Sequence, residues 1–511
     1  MTFRYITTPL YYVNDRPHMG HAYASIHADV VARYLRAAGH QVMFVTGVDE
    51  HGEKIARAAA AAGETPQAFA DRYTGAFEQA WKQLGVHPDR FVRTSAQTHT
   101  EVVSRSLKRL YDAGEIYLAD YEGLYSVGQE RFVTEKELVD GKLPEDRDPP
   151  VVRREANYFF RMEKHRDSIR QLLHDEPGLI EPSHYRNEIL RLLDDSIGDL
   201  SISRPGRLKW GIPIPWDPQH VTYVWFDALL GYVSPLHYPD GQAFRDFWPT
   251  TRHVIGKDIL RPHTLFWLAI SQALGFTPYQ RLYVSGYLLG SDGRKMSKSL
   301  GNGVDPLEAA ARYGADVLRY ALVREVTFGV DGVITHEAIE RRLHRDLADD
   351  LGNLASRTLA MIVRYREGRI PTPGPYTTLE EEIARRATAL PMEVLGLIDD
   401  MKLAQALERI FEFIRHLNGY VAVTEPWALA RSDADLLRVN TVLHTLAEGI
   451  HAVSGLLAPV LPGSMSQLRN LLGCVNDERW AVPWGQGVIA GSSVRETILF
   501  PKRSPIDGPS S

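Results

Sequence analysis

A chain of 511 residues is longer than one hydrophobic core usually organises, so several domains are expected. Its 44% hydrophobic and 24% charged residues suit an ordinary globular protein, and no apolar run reaches bilayer-spanning length, which sets membrane-embedded classes aside. A net charge of −6 argues against a general coat for nucleic acid, and the single cysteine, Cys474, excludes an internal disulfide and a cysteine-rich zinc site.

The start, MTFRYITTPLYYV, lacks a basic leader followed by a cleavable apolar segment, so a soluble cytoplasmic protein is expected. Within it FRYITTPLYYV is β-branched and aromatic and predicts a strand. PHMG then punctuates the chain, and HAYASIHADVVARYLRAAGH has helical periodicity ending near Gly39. QVMFVTGVDEHGEK predicts a second apolar strand, a polar turn and another helix. Strands alternating with helices imply a parallel sheet with crossover helices, whose ligands bind at the carboxyl ends of the strands. Near residue 115 the pattern changes, because EGLYSVGQERFVTEKELVDG is short and hairpin-like and EDRDPP is a polar loop. Residues 115–220 are therefore read as an insertion between two halves of the sheet. Apolar strands are predicted to return at HVTYVWFDALLGYV and RHVIGKDIL, followed by a helix containing HTLFWLAISQALG. After Gly301 the chain is mostly helical to about residue 475, interrupted by GRIPTPGP, and SPIDGPSS reads as a frayed tail. A local basic excess at Arg341, Arg342, His344, Arg345, Arg357, Arg364, Arg366 and Arg369 reads, on charge alone, as a solvated helix face.

Two short motifs point to phosphate chemistry. Pro17-His18-Met19-Gly20-His21 stands where the first strand turns into the first helix, and a helix start offers unpaired N–H groups and a positive dipole end to a polyphosphate. His18 and His21 are three apart and can face one anion together, while Gly20 lets a nucleotide approach the backbone. Packing or capping histidines account for these four residues equally well when they are taken alone. The second motif, Asp292-Gly293-Arg294-Lys295-Met296-Ser297-Lys298-Ser299, places two lysines three apart in a glycine-flanked loop that can close over phosphates.

HMGH and KMSKS together resemble the two signatures of class I aminoacyl-tRNA synthetases. The finer pattern resembles the bacterial methionyl-tRNA synthetase family over roughly residues 3–475, in TTPLYYVN, GVDEHGEK, YVWFDALLGY, IGKDILRPHTLFW, DGRKMSKSLGN, NLASR and EPW. That resemblance implies an α/β fold: a split Rossmann-like parallel sheet with an inserted connective domain and a C-terminal α-helical bundle. It implies a first half of the catalytic domain at 1–114, the connective insertion at 115–220 and the second half at 221–290. The KMSKS loop and linker would follow at 291–335, a helical anticodon-binding domain at 336–500 and a flexible tail at 501–511. The implied reaction is ATP-dependent activation of L-methionine to methionyl-adenylate, followed by transfer to the 3′ adenosine of tRNA(Met).

By the same resemblance Leu10, Tyr12, Asp49, Trp225, Ala228, Tyr232, Ile259, His263 and Trp267 form a methionine pocket, with Asp49 on the α-ammonium. Aromatic walls suit a flexible, polarizable thioether, and Tyr12 and His263 are expected to tell sulfur from methylene by hydrogen bonding. Leu229 stands where the family often has proline. His18, Gly20, His21, Gly256, Asp258, Lys295 and Lys298 are expected to bind ATP. Of these His18, His21, Lys295 and Lys298 would be catalytic, with Mg²⁺ carried by the phosphates. Arg204 resembles a family arginine near the active site. Asn353, Arg357, Pro426 and Trp427 are expected to read the anticodon, whose unstacked bases suit an indole platform and Asn and Arg side chains.

One departure concerns metal. Relatives often carry a cysteine zinc knuckle in the insertion, but Ser126, Gln129, Leu143 and Asp146 stand at those spacings here. A metal-free knuckle is therefore expected, with no structural zinc. A monomer is expected as well. Rival readings are another class I synthetase, for cysteine, leucine, isoleucine or valine, and a catalytically silent tRNA-binding paralogue.

Overall fold

The structure is a computed structural model that describes residues 2–126, 131–133, 135, 138–143, 148–205, 210–296, 302–474, 477 and 479–501. The chain forms two compact units. One comprises Met1–Ala28, Gln41–Lys82 and Val86–Gly286, the other Asp29–His40, Gln83–Gly85 and Tyr287–Ser511.

The first unit is built on a six-stranded parallel sheet. Its spatial order is Arg90–Arg93, Gln41–Asp49, Phe3–Tyr12, Thr251–Gly256, Arg281–Ser285 and Ile180–Glu181. The chain runs outward from Phe3–Tyr12 on one side, while the other side is built from Thr251–Gly256 and Arg281–Ser285 with the earlier segment Ile180–Glu181 at its far edge. The point where strand order reverses therefore lies between Phe3–Tyr12 and Thr251–Gly256, which is where such sheets open a crevice for ligands. Helices Met19–Ala37 and Gln97–Asp112 follow the Phe3–Tyr12 and Arg90–Arg93 strands, as the alternating pattern requires.

Burial explains where each strand stops being core. Tyr5 through Pro9 are buried, whereas Leu10 and Tyr12 at the carboxyl end are only half-buried. Burying a Leu, Ile or Phe side chain is worth roughly 1.5–3 kcal/mol, so the strand centres hold the sheet and the ends stay available to a ligand. The main core joins Tyr5, Val45, Val92, Ile255 and Leu282 of the sheet to Leu107, Leu230 and Trp267 of the helices around it.

Two expectations are corrected. The predicted strand HVTYVWFDALLGYV ends at Thr222, and Val224–Leu230 is a buried helix. A continuous apolar run carries no period that separates a buried strand from a buried helix. Within the stretch read as an insertion, Ile180–Glu181 returns to pair with Arg281–Ser285 as the edge strand of the main sheet. The rest of that stretch holds an antiparallel sheet of Arg131–Val133, Ile116–Ser126, Val151–Phe160 and Leu200–Ser201, and part of a smaller three-stranded one.

Among its described residues the second unit is mainly helical, with a two-stranded pairing of Leu288–Leu289 and Gly332–Val333. Asp305 caps the Pro306–Tyr313 helix by accepting from Leu307 N–H at 2.8 Å, and Thr377 and Glu380 form a capping box on Thr378–Asp399. The helical run from His336 to Arg366 widens to π geometry over Leu343–Gly352, just before Asn353. Arg319 is fully buried, yet its guanidinium reaches Asp29 at 2.7 Å and the carbonyls of Gly85, Pro459 and Val460 at 2.9–3.0 Å. Such complete partnering is what lets a charge remain inside. In the basic run, Arg341 and Arg342 pair with Glu325, and Arg369 donates to the Gly491 carbonyl at 3.1 Å.

Candidate active site

At the Phe3–Tyr12 carboxyl end, the PHMG turn opens the Met19–Ala37 helix. The His18 and His21 rings stack with centroids 3.6 Å apart. The Gly20 N–H donates to His18 Nδ1 at 3.1 Å, and the His18 N–H donates to His21 Nδ1 at 3.2 Å. A backbone N–H only donates, so both Nδ1 atoms are acceptors and each ring carries its proton on Nε2. The turn thus carries two Nε2–H groups, on rings inclined by 22°, beside a helix start. A Cβ on Gly20 would come within 3.0 Å of His18 Cε1, so this arrangement needs the glycine for the histidine as much as for any ligand.

The expected pocket residues gather around the carboxyl ends of the two central strands. Tyr12 and Asp49 are register partners across Phe3–Tyr12 and Gln41–Asp49, as are Leu10 and Gly47. Leu10, Tyr12, Trp225 and Ile259 are partly buried against the core, while Ala228 is buried. Trp225 meets His263 edge-on at 6.3 Å. His263 Nδ1 donates to the Ile259 carbonyl at 2.8 Å, and the Tyr232 hydroxyl donates to His263 Nε2 at 2.7 Å. Burial pushes His263 down to about 4 and raises the Tyr232 phenol, so the imidazole is neutral and the phenol protonated near pH 7.

This pattern corrects one expectation. Both His263 nitrogens are engaged inside the protein, Nδ1 by the Ile259 carbonyl and Nε2 by the Tyr232 hydroxyl, so His263 has no proton left for a thioether. Trp267 is fully buried and stands behind Tyr232, with ring centroids 6.1 Å apart. Its indole N–H donates to His253 Nε2 at 3.3 Å, which leaves His253 Nδ1 to donate to Thr7 Oγ1 at 2.6 Å. His253 was not among the expected residues, although its ring lies 4.3 Å from Tyr232. Its only sequence signal is a histidine directly before the apolar VIG of a predicted buried strand.

Gly256 ends the Thr251–Gly256 strand, and a Cβ there would fall 2.5 Å from Asp258 Oδ1. The glycine therefore permits the exposed Asp258 to fold back over the strand end. Arg204 is buried, with its guanidinium 4.4 Å from the Tyr223 ring centre and 5.4 Å from that of Tyr125. Ser126 and Leu143 are buried, while Gln129 and Asp146 lie outside the described residues. Among the described residues no three His, Cys, Asp or Glu side chains come together as a metal site.

In the second unit Lys295 Nζ sits 3.9 Å from the Tyr287 ring centre, and Lys298 lies outside the described residues. The loop's near end is shaped by Asp292, which accepts from Arg294 N–H and the Asn302 amide, each at 3.0 Å. Asn353 and Arg357 are exposed on one helix, and the Arg357 guanidinium lies 5.4 Å from the Trp427 ring centre. Pro426 is buried at the first position of the helix that carries Trp427.

A parallel sheet with two stacked histidines at a helix start and a cluster of aromatic and buried polar side chains beside its switch point has the layout of α/β proteins that take a ligand at the strand ends. A family model described as tRNA synthetases class I (M) matches residues 4–148 and 136–359. A methionine–tRNA ligase of Deinococcus radiodurans is 48% identical over 512 residues, covering 98% of this chain and 74% of the relative. One from Mycobacterium bovis is 39% identical over 514 residues and 99% of each chain. The solved structure of Mycobacterium tuberculosis methionyl-tRNA synthetase in complex with methionyl-adenylate superposes with a TM-score of 0.94 at 39% identity, over 98% of this chain and 100% of that one. The chain belongs to the class I (M) tRNA synthetases.

Proposed function

We infer that this chain is a methionine–tRNA ligase, which activates L-methionine with ATP and loads it onto tRNA. The observation that carries this is near-complete coverage by methionine–tRNA ligases, together with a close structural match whose partner holds methionyl-adenylate. In the first step a methionine carboxylate oxygen attacks the α-phosphorus of ATP. A C–O–P linkage forms, the bond to the bridging oxygen breaks and pyrophosphate leaves with its electrons. In the second step a ribose hydroxyl of the 3′ adenosine of tRNA(Met) attacks the activated carbonyl, the bond from that carbon to the phosphate oxygen breaks, and AMP leaves with the hydroxyl proton taken up by its phosphate.

No general base is needed for activation, because the nucleophile is already ionised; positioning and charge stabilisation remain. The two Nε2–H groups of His18 and His21 suit phosphate oxygens at the helix start, and Gly20 keeps that approach open. Asp258 can accept from ribose hydroxyls beside Gly256. Lys295 and Lys298 would neutralise the departing pyrophosphate. Asp49 would hold the α-ammonium, and the wall of Leu10, Tyr12, Trp225, Ala228, Tyr232 and Ile259 would hold the side chain, backed by His263 and Trp267. Mg²⁺ would arrive on the ATP phosphates, its usual carriers in such sites. Asn353, Arg357, Pro426 and Trp427 would receive the anticodon, with an Arg–indole pair suited to a splayed base.

The test is charging of purified tRNAs with labelled methionine. Methionine on tRNA(Met), and no charging of a valine or isoleucine tRNA, is expected; absence of charging with retained adenylate formation would refute the second step.

A further inference from the structure

Asp227 is fully buried, and no step above uses it. It lies on the Val224–Leu230 helix between Trp225 and Ala228. Its Oδ2 accepts from His51 Nδ1 at 2.6 Å, and its Oδ1 accepts from His99 Nε2 at 2.7 Å. His99, on Gln97–Asp112, continues through Nδ1 to Ser234 Oγ at 3.1 Å. His51 stands two residues beyond Asp49, packed edge-on against Trp210 at 5.3 Å. Trp210 in turn donates its indole N–H to the Glu50 carbonyl.

These contacts tie two pieces of the pocket together. The strand that carries Asp49 ends there, and residues 50–52 form no regular backbone ladder; apart from a Gly52 N–H to Trp210 carbonyl bond at 3.5 Å and the helix bond that Gly52 accepts, side-chain bonds hold them. Glu50 anchors the segment to one side, accepting from Thr74 at 2.7 Å and Arg93 at 2.8 Å. His51 anchors it to Asp227, on the helix that bears Trp225 and Ala228. A buried carboxylate is tolerated only when donors replace its water, and bonds to an ionised acceptor are the stronger and more directional ones.

We propose that Asp227 is a positioning residue for methionine, holding Asp49 at a set distance from the aromatic wall through His51, so that the amino end and the side chain of the substrate fit at once. This rests on the pocket reading above. The bond is specific in chemistry. Asn at 227 keeps one acceptor oxygen but turns an NH₂ group against the second imidazole N–H. Asn at 51 can place an amide N–H where Nδ1 stands, whereas Ala cannot.

The experiment is ATP–pyrophosphate exchange on the intact enzyme, with KM measured separately for methionine and ATP. Asp227→Asn and His51→Ala are expected to raise the methionine KM about tenfold or more, with the ATP KM within about twofold, as a displaced anchor predicts. His51→Asn is expected to keep the methionine KM within about threefold of the parent. Loss of folding alone would lower the active fraction and leave both KM values unchanged. The proposal is overturned by a folded Asp227→Asn enzyme with unchanged methionine KM, by equal rises in both KM values, or by His51→Asn behaving as His51→Ala. If Asp227→Asn does not fold, the two His51 variants decide by the same thresholds. Asp49→Asn is the control: an unchanged methionine KM there defeats the pocket reading itself rather than the role of Asp227.

Discussion

Two imidazoles three residues apart become informative once their Nδ1 atoms are seen to accept backbone N–H bonds, because that fixes Nε2 as the donor of each. The same reasoning at His263 makes it an acceptor toward Tyr232 and removes it as a donor to substrate. None of this is legible in sequence: residue type names the groups, and only the bonds decide which nitrogen carries hydrogen. A pH effect follows. An unfolded-chain histidine titrates near 6.5, while burial holds His263 down to about 4. Below pH 6.5 the unfolded chain binds a proton that the folded chain refuses. The stability from a neutral His263 is therefore complete above 6.5 and is lost as pH falls toward 4. Between pH 7 and 5 the loss is roughly 2 kcal/mol. Urea unfolding at both pH values is expected to show the parent losing about that much more than His263→Gln; equal losses would contradict it.

At the scale of elements, the strand–turn–helix start was readable because a β-branched and aromatic run, a Pro-His-Met-Gly turn and a 3.6-residue period agree. The VWFDALL segment was not, since it has no period to read, and its helix places Trp225, Asp227 and Ala228. Both π-widened stretches were equally silent. One spans Pro262–Phe266 and carries His263; the other ends at Gly352, directly before Asn353. Such widening costs hydrogen-bond geometry and recurs at functional sites, where it re-aims a side chain. In the helical unit, Trp427 follows a buried proline and a residue at φ 40°, Glu425, a backbone conformation costly for a side chain other than glycine. If that element reads the anticodon, Trp427→Ala should leave pyrophosphate exchange within about twofold of the parent and cut tRNA charging by about five- to a hundredfold, since stacking of a base is worth about 1–3 kcal/mol. Equal loss of both activities, measured on the same preparation, would remove Trp427 from RNA recognition.

Across the whole molecule, alternation of strands and helices was enough to announce a parallel sheet, and the long helical run to announce the second unit. The return of Ile180–Glu181 to the sheet edge escaped, because a two-residue pairing made across more than a hundred residues leaves no local pattern. Long-range partnering escaped for the same reason. Arg319 reads as one more charged residue, yet it is buried among Asp29 and carbonyls from distant segments. His253 and Asp227 likewise became visible as parts of the candidate site only through their neighbours. Methionine specificity was legible by resemblance to a family, and the geometry adds the fixed proton positions of His263 and Tyr232 among the residues proposed to hold the substrate. The most direct measurement of that claim is ATP–pyrophosphate exchange with each of the twenty amino acids in turn. Exchange with methionine alone, above a background common to the others, is the result expected; exchange driven by another amino acid, or none with methionine, would contradict it.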